Sequence, residues 1–211
     1  MINKKRKKFY EAILFSEKLI ELYKTTKDNF LLSLADAYIN LANIYTELAK
    51  YEKAVGLLYN AQAIFEELKN ETGLSYCYNN LANFQKELGQ NTEAFKNAKK
   101  SLVIKQKNKD FLGEAISKQL IGELYLNLHQ AKIALSYIEQ SEVFFKTQSL
   151  DDRLNNIYHL KARIFIELKD TLNALKYYNL AILGAKNLNL QKMANILQKE
   201  KNKSFFITTI R

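Results

Sequence analysis

Tyr78-Asn79-Asn80-Leu81-Ala82-Asn83-Phe84-Gln85 decides the reading of this chain, because its pattern recurs 40 residues to either side without an insertion. Upstream stands Tyr38-x-x-Leu41-Ala42-x-x-Tyr45; downstream stand Lys118-x-x-Ile121-Gly122-x-x-Tyr125 and Tyr158-x-x-Lys161-Ala162-x-x-Phe165. Each copy is followed at the same distance by an alanine: Ala54, Ala94, Ala134 and Ala174. A fixed period of this length means stacked supersecondary units, which offer surfaces to partners rather than one enclosed reaction centre.

Aromatic, apolar and small residues at relative positions zero, three, four and seven share one helical stripe. Turns near Ala49-Lys50, Gly89-Gln90, His129-Gln130 and Lys169-Asp170 then reverse the chain, so each copy reads as a helical hairpin. Ala42, Ala82, Gly122 and Ala162 let the second helix approach closely, and the alanines that follow offer a matching small surface. A third small position recurs at Ala61, Ser101, Ser141 and Ala181.

These residues resemble the tetratricopeptide repeat family, whose hairpins of about 34 residues carry aromatic, Leu, Gly or Ala, Tyr and Ala in this order. The resemblance implies an all-α fold, a right-handed superhelical solenoid of antiparallel hairpins. It divides one continuous array into a basic N-terminal segment and capping helix (1–30), four repeats (31–190), and a capping helix with an apolar tail (191–211). The longer period is similar to that of kinesin light chains and bacterial peptide-sensing regulators. The proline that usually closes a repeat is absent, since the chain contains none. Longer second helices, Glu52 to Lys69 and Thr92 to Asn108, are expected to absorb the extra residues. Lys118 replaces the leading aromatic of repeat three, and Lys161 breaks the apolar slot of repeat four.

Composition agrees with long helices: 47% of residues are hydrophobic, 26% are charged, and only 6 glycines interrupt the chain. No stretch of about 18 uncharged apolar residues is present to span a membrane. The basic start Lys4 to Lys8 is followed by Glu11, Glu17 and Lys18, which break any export signal, and a cytoplasmic location is expected. The single cysteine, Cys77, occupies the slot of Ala37, Ser117 and Ile157, so it reads as a small packed residue. His129 and His159 lie in different repeats without metal-ligand spacing, and no glycine-rich phosphate loop occurs. The reading is non-enzymatic, with no cofactor and no metal.

At the N-terminus, Ala12, Phe15, Leu19, Leu22 and Tyr23 form an apolar stripe expected to cover repeat one. After Leu190, a last helix is expected to stack Met193, Ile196 and Leu197 on repeat four while Lys199, Glu200, Lys201 and Lys203 face water. The segment Ser204 to Ile210 is apolar and β-prone. Terminal docking and self-association through Phe205, Phe206 and Ile207 are both open to it.

The resemblance implies that first helices line a concave surface, with positions one, two and five after the leading aromatic facing a bound peptide. Ile39, Asn40 and Asn43 fill these slots in repeat one, and Asn79, Asn80 and Asn83 in repeat two. Gln119, Leu120 and Glu123 follow, then His159, Leu160 and Arg163. Amide side chains both donate and accept, so a row of them can satisfy an extended peptide without demanding its sequence. Gln119, Glu123, His159 and Arg163 would add selectivity, whereas Asn43 and Asn83 could instead brace neighbouring repeats. The two-carboxylate clamp of chaperone adaptors does not fit, because Ile39, Ile116 and Leu120 replace its three cations. A protein or peptide partner of a scaffold is the leading reading, and a sensory or regulatory module of a bacterial signalling system is the alternative. Net charge of +10, with Lys96, Lys99, Lys100, Lys105, Lys107 and Lys109 on one second helix, raises nucleic-acid binding as a further reading. An anionic membrane surface could likewise attract Lys4 to Lys8. Scarce arginine and the lack of a recognition motif argue for a solvated basic face instead.

Overall fold

The computed structural model describes residues 4–25 and 30–206. Among them are ten α-helices: α1 (Lys4–Thr25), α2 (Leu31–Glu47), α3 (Tyr51–Glu67), α4 (Glu71–Glu87), α5 (Asn91–Lys107), α6 (Phe111–Asn127), α7 (Ala131–Thr147), α8 (Asp151–Glu167), α9 (Thr171–Asn187) and α10 (Gln191–Phe206). They fall into two compact units, Met1–Lys109 with α1 to α5 and Asp110–Arg211 with α6 to α10. Within each unit every helix packs on the next, giving the all-α hairpin stack the sequence implies.

Each of α2 to α9 is 17 residues long. Three-residue links join them, so the 40-residue period is two equal halves. The extra length over a shorter repeat is therefore shared by both helices rather than absorbed by the second one. Each link passes through the left-handed region, at Ala49, Lys69, Gly89, Lys109, His129, Ser149, Lys169 and Asn189. Only one of these is glycine, and a side chain there costs roughly 1 kcal/mol. Paired hydrogen bonds offset the strain: Asn70 N–H donates to Phe65 O at 2.9 Å and Lys69 N–H to Glu66 O at 3.1 Å. The same six-to-one closure recurs after α2, α4, α6, α7, α8 and α9, satisfying carbonyls that the helix end would leave bare. The residue closing one helix also opens the next. Asn70, Asp110 and Asp170 cap α4, α6 and α9 by accepting from the N–H of Gly73, Gly113 and Asn173.

Small residues let helices approach closely. Ala42, Ala82, Ala162, Ala54, Ala94, Ala134 and Ala174 are wholly buried. At Gly122 a Cβ would lie 2.8 Å from the Ile138 side chain, so this slot tolerates nothing larger. Ser101 Oγ donates to Ser75 O at 2.9 Å, and Ser141 Oγ donates to Ala115 O at 2.8 Å, so two of the third-row small residues bond the preceding first helix. Leu58, Leu81 and Cys77 anchor the first unit; Ile121, Ile138, Phe145, Ile157 and Ile164 anchor the second. Each large aliphatic or aromatic side chain so buried contributes about 1.5–3 kcal/mol. Burial pushes the Cys77 thiol up to about 12, with the Glu66 carboxylate adding to it, which leaves the group a neutral packing residue.

Several details depart from the sequence reading. On α1 the packed face is Ile13, Leu19, Ile20 and Tyr23, while Phe15 and Leu22 point outward. On α10, Ala194 and Leu197 are buried and Met193 packs beside them, but Ile196 is exposed. Glu200 keeps a partly exposed side chain but also contacts His159, with Oε2 2.6 Å from Nε2. Lys105 is only 6% exposed, with Nζ donating to Asn79 Oδ1 at 3.3 Å, and so leaves the solvated basic face. Ser204 to Phe206 continue α10, and the Phe205 ring meets Tyr178 edge to face at 6.4 Å. The side chains of Lys4 to Lys8 and of Phe206, and Ile207 to Ile210 altogether, lie outside the described residues. Among the described residues no helix is long and apolar enough to cross a membrane.

Candidate functional site

The packing stripe of each first helix fixes what its opposite side presents. In the first unit, burial of Tyr38, Leu41, Ala42 and Tyr45 on α2 leaves Asn40 and Asn43 exposed. The same spacing on α4 leaves Asn79, Asn80 and Asn83 half-buried. Asn83 Nδ2 donates to Asn79 O at 3.1 Å, one turn back on its own helix. The Asn79 carboxamide accepts from Lys105 and so braces α4 to α5. Asn40 and Asn43 thus stand at the surface, with Asn80 half-buried one repeat on.

In the second unit, Gln119, Glu123 and His159 are half-buried, and Arg163 is exposed. Gln119 Nε2 donates to Glu123 Oε1 at 2.8 Å, while the buried Gln119 Oε1 accepts no hydrogen bond among the described residues. His159 Nε2 lies 2.6 Å from Glu200 Oε2 on α10. One slot in three of the repeats proves to be core: Ile39, Leu120 and Leu160 are all buried.

His159 and Arg163 border a cleft of about 460 Å³ among α8, α9 and α10, to which Tyr178, Lys203 and Ser204 also contribute. The sequence reading missed α10's share of it. The signal was available, since α10 sits one period after α8, but Gln198, Lys201 and Asn202 occupy its motif slots and hide the repeat. Among the described residues no cluster of three His, Cys, Asp or Glu side chains could hold a metal ion.

The tetratricopeptide repeat family matches residues 33–107 and again 156–183. No curated protein sequence is a significant match. Among solved structures, BtubC (BKLC) from P. vanneervenii is similar at a TM-score of 0.68 and 14% identity, over 95% of this chain and 92% of that one. A Podospora anserina protein of nearly identical TPR-like repeats aligns at a TM-score of 0.58 and 16% identity, over 98% and 91%. The Rap conjugation gene regulator of plasmid pLS20, solved in complex with the Phr* peptide, aligns at 0.75 and 14% identity. The alignment covers 92% of this chain but 53% of the regulator. At these identities the likeness carries the fold alone. Both family matches fall on the 40-residue copies, with their buried small and alanine slots, and over these residues the chain is a tetratricopeptide repeat protein.

Proposed function

We propose that the chain is a non-enzymatic cytoplasmic scaffold that binds a peptide or a partner helix on the faces of its first helices. The carrying observation is the amide row of the first unit, with Asn40 and Asn43 exposed and Asn80 and Asn83 half-buried, set on helices whose opposite sides pack into the core. Such amides bond peptide backbone in either direction and add little sequence demand. Repeat arrays bury their interior between neighbours and leave these faces for partners. The Rap conjugation gene regulator, solved in complex with the Phr* peptide and similar in fold over 53% of its length, supports a sensory or regulatory role as the second reading.

The test is a display of random extended peptides on the intact chain, compared with an Asn40→Ala/Asn43→Ala/Asn80→Ala/Asn83→Ala variant. Loss of most captured sequences in the variant is the expected result. Undiminished capture would remove the first-helix face from consideration. Nucleic acid is tested separately by retention of single- and double-stranded oligonucleotides at low and moderate salt, since phosphate contacts weaken steeply as salt rises. Lys105 is unavailable for that role, and Lys107 is paired with Glu71 at 2.6 Å.

A further inference from the structure

α1 packs on α2 through Ile13, Leu19, Ile20 and Tyr23. Its other side carries four large apolar residues in the open: Tyr10 and Phe15 at 69% exposure, Leu22 at 55% and Leu14 at 45%. Apolar surface gathered on one helix face marks an interaction site. Glu11, Lys18 and Glu21 are exposed among these residues, so charge and apolar surface alternate along the face. The order is self-complementary, because Glu11 and Lys18 lie equally far from the step between Leu14 and Phe15.

We infer that the outward face of α1 pairs with α1 of a second copy, antiparallel, about a two-fold axis between residues 14 and 15. Leu14 and Phe15 of both copies then meet at the axis, and Glu11 comes level with the partner's Lys18 on each side of it. Glu21 comes level with residue 8, in the basic run Lys4 to Lys8 of the other chain. A two-fold interface repeats every contact, so one charge pair in register gives two. Such pairs fix orientation and register, while the apolar residues between them supply the affinity. A carboxylate accepts from several donors, so the new contact adds to those Glu11 makes within its own chain. An anionic bilayer fits the same face less well. Glu11 and Glu21 would enter it among negative headgroups, whereas a second copy brings each acid a cation. This face is distinct from the first-helix amides, and the pairing is independent of the peptide-binding reading.

The test uses the full chain. Sedimentation equilibrium is expected to show reversible dimers with a Kd of about 10 μM, as suits a small interface. Leu14→Glu/Phe15→Glu should raise that Kd at least about tenfold. Both positions are exposed, so the helical circular dichroism of this variant should match that of the parent. Register is read by mild oxidation of variants with one added cysteine, since Cys77 is buried. An equimolar mixture of Glu11→Cys and Lys18→Cys should form a disulfide-linked heterodimer, in which the second pair of Glu11 with Lys18 survives. Neither variant alone should cross-link, because like positions stand about 10 Å apart along the helix axes. Cross-linking of either variant with itself would mean another register and overturn the pairing. A monomer at every concentration would overturn it as well. Flotation of the parent, but not of Leu14→Glu/Phe15→Glu, on phosphatidylserine vesicles would then assign the face to a bilayer.

Discussion

Lys161 Nζ lies 2.8 Å from Glu142 Oε2, joining α8 to α7 by an ion pair whose side chains are 5% and 7% exposed. Lys146 Nζ reaches the other carboxylate oxygen at 2.7 Å, and the Lys161 ammonium sits 4.5 Å from the centre of the Tyr177 ring. Lys161 fills the slot of Leu41, Leu81 and Ile121, so an ionic contact stands where the other repeats are apolar. Removing one partner of such a pair strands a buried charge, whereas replacing both is often neutral or better. Glu142→Leu is expected to cost about 3 kcal/mol, because the carboxylate left to Lys161 is Glu139, more distant at 3.8 Å and half exposed. Lys161→Leu should cost less, since Lys146 still neutralises Glu142. The double variant should return to within about 1 kcal/mol of the parent, as read from urea midpoints. A double variant as unstable as Glu142→Leu would show that the pair itself holds α7 on α8.

The same pair sets a pH dependence. Burial pushes the Glu142 carboxyl up, but the hydrogen bonds from Lys146 and Lys161 outweigh it and hold the group below its ordinary 4.5. A depressed acid contributes stability that is fully present above its unfolded value and is lost as pH falls through the folded one. Burial acts to lower Lys161, yet bonding to Glu142 and Tyr177 leaves it above 10.5, so its share is lost only in strong alkali. Melting temperatures of the parent should therefore fall below those of the Glu142→Leu/Lys161→Leu double variant on acidification from pH 4.5 downward. Parallel acid profiles for the two chains would contradict it.

Two helix-interior glycines should respond in opposite directions. A Cβ at Gly56 meets nothing within 4 Å, so Gly56→Ala restores helix propensity and is expected to stabilise by about 1 kcal/mol. A Cβ at Gly122 would meet Ile138 at 2.8 Å and the Ala134 carbonyl at 3.3 Å. Gly122→Ala is expected to cost about 1–3 kcal/mol by overpacking, and differential scanning of the two variants separates them by sign.

That contrast marks how far the sequence could be read. Gly122 stands in register with Ala42, Ala82 and Ala162, so its packing role is visible from periodicity alone. The hairpins, their turns and the three rows of small residues follow from the same register. Repetition says nothing about positions where repeats differ. Glu142 matches Gln62 and Leu102, and nothing in that comparison predicts that it reaches Lys161. Phe15 and Leu22 mislead because α1 packs chiefly on α2 among the described residues, so an apolar residue there need not face it. The α10 half of the charged cleft was hidden because Glu200 and Lys203 look like ordinary surface residues until α8 is placed beside them.

Asn155 and Gly184 show a coupled departure from the repeat. The corresponding first- and second-helix pairs are Ala35 with Ile64, Ser75 with Ile104 and Ala115 with Phe144, a small residue facing a large one in each case. Here the sizes are reversed, and a Cβ on Gly184 would lie 2.5 Å from Asn155 Oδ1. That oxygen is buried and accepts no hydrogen bond among the described residues, a penalty of about 1–3 kcal/mol. Gly184→Ile alone should clash and destabilise. Asn155→Ala alone removes the orphaned acceptor but opens a cavity, so its effect should be small. Asn155→Ala/Gly184→Ile recreates the Ala35–Ile64 arrangement, removes the acceptor and replaces a helical glycine, and it is expected to exceed the parent in stability by about 1–3 kcal/mol. The double-mutant cycle should give a large favourable coupling between the two positions. Additive effects would mean that α8 and α9 relax independently at this contact.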